Sequence, residues 1–185
     1  MEIRPTEIPG CYTLQTRVMH DARGSFIKTF HRPRFEELKL RTDWREEYFS
    51  ISAPGVLRGM HFQLPPEDHT KMVFCLTGEV LDVVVDLRRG SPAYGRPQSF
   101  TLSAANGLGL YLPTGCAHGF VSISEASGMY YKVTSTHSPA HDVGVAWDSI
   151  GFDWPITAPI LSNRDQQHPP LANFDTPFVY HGAAG

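Results

Sequence analysis

The sequence predicts an all-β protein, a sandwich or jelly roll in which two twisted sheets enclose a core and, at one end, a pocket. Three observations carry this reading. Glycine (16) and proline (15) recur along the 185-residue chain and punctuate short runs rich in Val, Ile, Leu, Phe and Tyr. A single short segment reads as helix. The run EVLDVVVDL alternates with period two, setting Val80, Asp82, Val84 and Asp86 on one face and Leu81, Val83, Val85 and Leu87 on the other.

Taken in order, the strands are expected at Tyr12 to Val18, Ser25 to Phe30, Tyr48 to Ser52, Val56 to Phe62, Lys71 to Leu76 and Glu79 to Leu87. They continue at Gln98 to Leu102, Leu108 to Leu112, Phe120 to Ile123 and Gly128 to Thr134, each bounded by turn residues. The helix is placed at Arg34 to Leu40, started by Pro33, whose fixed φ suits a first helical turn. Two carboxylates among valines place Asp82 either on a solvated face or in a cavity. The proline-rich tail after Trp154, including ITAPILSNRD and QQHPPLANF, is expected to wrap the barrel over residues 155–185 and to deliver a side chain such as Asp165 to the pocket. Length and composition fit one domain over 1–185.

Hydrophobic residues make up 41% of the chain, charged residues 19%, and the formal net charge is -3. No basic excess is present to attract nucleic acid or an anionic membrane, so an anionic ligand needs a local cluster of cations. The N-terminal MEIRPTEIPG lacks a signal-peptide pattern and no run is long enough to cross a bilayer, which leads to the expectation of a cytoplasmic protein. Cys11, Cys75 and Cys116 are odd in number and widely spaced, matching neither a disulfide framework nor a zinc site. They read as small buried apolar side chains.

Nine histidines raise the question of a metal. LPTGCAHGF contains P-x-G-x-x-H, which resembles the second signature of the cupin superfamily, but Met60, His61, Phe62 and Gln63 lack the H-x-H of the first. His61 and His69 flank Pro65 and Pro66 at a spacing no single strand or turn supports as ligands. No metal and no cofactor are expected, which leaves acid–base use of the histidines. A pocket holding Arg58, His61, Lys71 and His118 is cationic and takes an anion. Regular pleating points Arg58 and His61 to opposite faces, whereas a bulge near Gly59 brings them together. Individually each of these residues also fits an ordinary surface or structural role.

The order of motifs goes further. GVLRGMHFQ, Lys71, GEVLDVVVDLR, SPAYG, LYLPTGCAHGF, YYKVT, WDSIGFDWP and LSNRD, spread from about Asp21 to Asp165, together resemble the dTDP-4-dehydrorhamnose 3,5-epimerase family. The resemblance implies a metal-free cupin jelly roll (double-stranded β-helix) with a few short helices, a homodimer exchanging strands from residues 1–30, and a nucleoside-diphosphate 4-keto-6-deoxyhexose as substrate. It implies inversion at C3, C5 or both in deoxysugar biosynthesis. His61 resembles the base, Asp165 the carboxylate that orients it, Lys71 the partner of the enolate oxygen, and Tyr131 the acid on the opposite face.

The same resemblance makes Arg58 and His118 sugar and diphosphate contacts, Asp82 and Gln63 further active-site positions, and Arg23 with Phe26 nucleotide contacts reached from the partner subunit. This chain departs from the family pattern at Lys28, Glu46, Tyr48, Thr136 and His137, the positions expected near the nucleotide. Two alternatives stand beside this reading: a metal-dependent cupin, dioxygenase or sugar isomerase, using His61, His69 and His118, and a non-catalytic sugar-nucleotide-binding cupin.

Overall fold

The computed structural model describes residues 1–182. Its strands are β1 (Glu2–Pro5), β2 (Tyr12–Gln15), β3 (Val18–Asp21), β4 (Gly24–Ile27), β5 (Glu46–Ser52), β6 (Leu57–Gln63) and β7 (Lys71–Thr77). They continue as β8 (Glu79–Asp86), β9 (Pro97–Ser103), β10 (Leu108–Leu112), β11 (Cys116–Ser122), β12 (Ser127–Val133) and β13 (Asp142–Gly144), with one helix, α1 (Arg32–Glu37). The first sheet runs β1-β2-β10-β7-β12-β5 and the second β13-β6-β11-β8-β9, while β3 and β4 form a separate hairpin. All named strand pairs are antiparallel, and the two sheets make the jelly roll that the punctuation predicts.

Several boundaries differ from expectation for local reasons. The single strand expected at Tyr12 to Val18 divides: β2 ends at Gln15, and β3 begins a hairpin that closes through Ala22 and Arg23. β4 stops at Ile27 rather than Phe30, because Phe30 turns inward to pack edge to face on Phe35 and Trp44. The helix lies two residues earlier than expected and is shorter, with Pro33 inside its first turn and Lys39 beyond its end at φ 56. β11 starts at Cys116 instead of Phe120, so the glycine and histidine of CAHGF are strand residues.

Three apolar layers explain why so many strands bury both faces. Between the sheets, Val73, Leu110, Met129 and Tyr131 meet Val80, Val84, Leu102 and Phe120. The outer face of the second sheet, with Phe62, Val83, Val85 and Leu87, is covered by Ile150, Phe152, Trp154, Leu171 and Phe178 from the C-terminal segment. On the outer face of the first sheet, Leu14, Met72, Phe74 and Tyr111 are covered by Phe35 with Phe30 and Trp44. The apolar face of EVLDVVVDL therefore lies under the tail, and the face with two carboxylates points between the sheets, where Asp82 is fully buried. Residues 183–185 of the expected wrapping tail lie outside the described residues. Among the described residues no helix is long and apolar enough to cross a membrane.

Candidate active site

A cavity of about 330 Å³ opens between the sheets. The second sheet supplies Arg58, His61 and His118 and the first supplies Lys71, Tyr131, Tyr48 and Glu46. Regular pleating would keep Arg58 and His61 apart. On β11, however, His118 opposes His61 and Phe120 opposes Arg58, so three residue steps on β6 face two on β11. The extra residue reverses the pleat and turns both side chains into the cavity. Gly59 permits this: its φ is +155, and a Cβ there would lie 2.7 Å from Gly119 Cα.

Two of the four histidines that line the cavity, His61 and His118, are hydrogen-bonded to a carboxylate. His61 Nε2 lies 2.6 Å from Asp165 Oδ1, a residue brought in by the 3-10 turn Asp165–Gln167. Burial holds the His61 imidazole below its usual pKa against the opposing pull of Asp165, which keeps the ring neutral and able to accept a proton near neutral pH. Burial works against ionised Asp165, but the neighbouring His168 and His61 outweigh it and hold the carboxyl well below its usual range. His118 Nε2 lies 2.7 Å from Asp82 Oδ2. Burial raises the pKa of Asp82, with His118 opposing, and its Oδ1 has no partner. Asp82, expected at a further active-site position, is fully buried between the sheets on β8, beside β11, and meets the cavity through its hydrogen bond to His118 rather than lining it.

Lys71, the first residue of β7, is 8% exposed and makes no hydrogen bond or ion pair among the described residues. Burial lowers its pKa to about 8, with Asp142 and Asp82 opposing the fall. An ammonium without a partner at a cavity wall is poised for an oxygen that gains negative charge. Tyr131, 7% exposed, stacks on Tyr48 at 4.8 Å with an interplanar angle of 18°. Burial pushes its phenol far above the usual range, so it stays protonated and can act as a proton donor.

The remaining expected residues divide. Arg58 lies at the exposed end of the cavity, its guanidinium donating to Ser52 Oγ at 3.0 Å and to the Ile51 carbonyl at 3.2 Å. Glu46 accepts the backbone N–H of His137 at 2.8 Å, and both line the cavity beside Tyr48. Gln63 reaches the wall, but its amide is committed to the Glu67 carbonyl and the Ser138 N–H, which pins the loops around it. Arg23, Phe26 and Lys28 are not brought to the cavity within this chain, since the β3–β4 hairpin pairs only with itself.

Two residues, Asp142 and His168, were missed, and His69 was named only as a metal ligand. Asp142 lines the cavity and is held by Arg164 at 2.7 Å; it lies between the motifs YYKVT and WDSIGFDWP, and nothing in its spacing marks it. His69 also lines the wall, and burial lowers its pKa to about 3. His168 follows Asp165 by three residues, a spacing that puts both on one side of a turn and was visible in LSNRDQQH. The metal set of His61, His69 and His118 is not assembled: among the described residues their ligand atoms do not come together within 4.8 Å.

Comparison with known proteins fits this geometry. Residues 5–173 match the family model described as dTDP-4-dehydrorhamnose 3,5-epimerase. The dTDP-4-dehydrorhamnose 3,5-epimerase of Shigella flexneri is 38% identical, over 89% of this chain and 93% of that protein. A dTDP-4-dehydrorhamnose 3-epimerase of Streptomyces niveus is also 38% identical, over 90% of this chain and 82% of its own length. A crystal structure of an epimerase of Legionella pneumophila in complex with dTDP-4-keto-L-rhamnose superposes with a TM-score of 0.91 at 33% identity, covering 98% of this chain and 99% of that one. With the jelly roll, the motif order and these matches in agreement, the chain belongs to the dTDP-4-dehydrorhamnose 3,5-epimerase family of isomerases.

Proposed function

We propose that the cavity inverts C3, C5 or both of a nucleoside-diphosphate 4-keto-6-deoxyhexose through an enolate. The observation that carries this is the placement of base and acid on different layers: His61 on the second sheet, paired with Asp165 from the 3-10 turn, and Tyr131 on the first, with Lys71 in the same cavity. A proton α to a ketone is removed only when a base meets it and the carbonyl oxygen, where charge collects, meets a cation or donor. His61 removes the proton, Asp165 fixing the ring so that the nitrogen turned to the cavity carries the lone pair. Lys71 takes the enolate oxygen. Tyr131 returns a proton to the other face of the sugar, which inverts the carbon. No electron transfer is involved, and the proton count balances when the tyrosinate is reprotonated and His61 deprotonated by solvent.

Arg58 is suited to the diphosphate, as a planar donor fork at the exposed end of the cavity. His118, fixed by Asp82, presents its other ring nitrogen to the sugar. Glu46, Tyr48 and His137 lie on the wall that meets the nucleoside in this reading, and Gln63 shapes the loop beneath it. Arg23, Phe26 and Lys28 act across a homodimer. The β3–β4 hairpin, which pairs only with itself, reaches the partner's cavity, and the apolar Phe49 and Ile51 of the edge strand β5 pack against the second subunit. Residues 1–30 contribute to that interface chiefly through the hairpin, since β2 pairs with the chain's own β10. The enzyme works in the cytoplasm, where nucleotide sugars are made and used.

The test is turnover in deuterated water with dTDP-, CDP-, GDP- and UDP-linked 4-keto-6-deoxyglucose, read by proton NMR at C3 and C5. Deuterium is expected at one or both carbons with at least one nucleotide. No incorporation with any of them overturns the reading.

A further inference from the structure

His61 has a second neighbour besides Asp165. The His168 side chain is 9% exposed, and its Nε2 is buried without a hydrogen-bond partner. That nitrogen stands 3.6 Å from Asp165 Oδ1, too far for a hydrogen bond, while His61 Nε2 lies 2.6 Å from the same oxygen. The donor atoms of the three residues all fall within 4.8 Å of one another, and among the described residues this is the one such group found. The two imidazoles meet edge to face at 5.6 Å. Space for His168 is kept by Gly144 of β13, where a Cβ would lie 2.6 Å from the His168 Nε2.

We propose that His61, Asp165 and His168 form a binding site for a divalent transition-metal ion of the Zn²⁺ type, and that occupancy switches off proton transfer at His61. Two imidazoles and one carboxylate are the donor set such ions take with a fourth position left open, here filled by water. Metal–ligand bonds of about 2.0–2.1 Å in a tetrahedron separate neighbouring donors by roughly 3.3 Å. The Asp165–His168 pair is already close to that spacing. The Asp165–His61 pair opens modestly once the hydrogen between them leaves.

That hydrogen explains the inhibition. In the free site, His61 carries it on Nε2 and keeps a lone pair on Nδ1 for the substrate. A metal at Nε2 uses the lone pair on that nitrogen, so the neutral ring holds its hydrogen on Nδ1 instead, transferred through solvent. The base is lost with no change in oxidation state and no change in the ring's proton count. His168 binds through its unpartnered Nε2 with its hydrogen on Nδ1. The inhibitory half of this inference rests on the function proposed above; the binding half does not.

The full-length protein is titrated with Co²⁺ alone, followed by Zn²⁺. A visible ligand-field band of tetrahedral Co²⁺ is expected, without a thiolate charge-transfer band because no cysteine belongs to the cluster, and Zn²⁺ should displace it. His168→Phe and His168→Gln, each checked for an unchanged melting curve, should weaken binding by about tenfold or more, since loss of even an outer-shell partner has such effects. Zn²⁺ should inhibit wild-type turnover reversibly on addition of EDTA and leave either variant unaffected. The proposal is overturned if Co²⁺ in excess over protein gives no such band, or if a folded His168 variant binds as tightly as wild type. Turnover without a Co²⁺ band removes the metal site alone; a Co²⁺ band without turnover on any sugar nucleotide removes the epimerase reading alone.

Discussion

Lys71 has its ammonium in a place where water is scarce and no carboxylate touches it. Burial lowers its pKa from 10.5 to about 8, so the charged form needed at the enolate oxygen is lost as pH rises through that value. In the free enzyme, kcat/KM should therefore fall on the alkaline side near pH 8, and on the acid side below the ordinary histidine range as His61 becomes protonated. A pH–rate profile checks both limbs. The sign for stability is opposite: between about pH 8 and 10.5 the unfolded chain binds more protons at this position than the folded one, so stability rises with pH there. Lys71→Met should thus melt higher than wild type at pH 7 while losing nearly all turnover, measured by calorimetry and NMR. His61→Asn should abolish deuterium exchange at both carbons, whereas Tyr131→Phe should allow exchange and lower inversion by about a hundredfold or more. At this scale the grouping of His61, Lys71, Tyr131 and Asp165 was legible because they sit in an ordered set of motifs. Asp142 was not: a single aspartate in a loop gives no period and no spacing, and only the fold carries it to the cavity wall.

Among the elements, β6 is the one whose irregularity makes the site. Its bulge was readable as an option, since a glycine inside a strand pattern marks such places, but the register slip against β11 depends on Gly119 as well as Gly59. Gly59→Ala should destabilise by about 1–3 kcal/mol, because alanine strains at that φ and its methyl meets the Gly119 backbone. A lowered midpoint in urea, together with loss of activity larger than the unfolded fraction explains, checks this. Helix α1 was legible from Pro33, yet its purpose was not. Phe35 is fully buried against Phe30, Trp44 and Tyr111, over the outer face of the first sheet. Phe35→Ala should cost about 3–5 kcal/mol, read from chemical denaturation. The hairpin β3–β4 was misread because Met19 to Asp21 carry no apolar alternation and fell outside the expected strands, while β4 was absorbed into the longer run Ser25 to Phe30, although DARG is an ordinary turn between them.

For the whole molecule, the punctuation by glycine and proline predicted the jelly roll, and the alternation in β8 predicted that one of its faces carries carboxylates. Which face turned inward was not readable from one strand, because an outer apolar face needs a cover and the cover comes from residues 150–178, far along the chain. Assembly is the scale at which the edge strand β5 matters. Phe49 is 72% and Ile51 59% exposed on a strand with one unpaired edge, an arrangement that a partner subunit covers in the proposed dimer. Phe49→Glu combined with Ile51→Lys should convert a dimer into a monomer in sedimentation velocity, and a wild-type protein that sediments as a monomer would refute the assembly. The division of base and acid between the two sheets has one more result. The gap a sugar ring must bridge is set by how thickly the core is filled, so the handedness of the product depends on packing as well as on acidity. Trimming Leu110 or Val84, both buried between the layers and neither on the cavity wall, should leave a pocket that scrambles hydrogen without completing the flip. Under the proposed mechanism, the spacing between two layers of side chains acts as a gauge for stereochemistry.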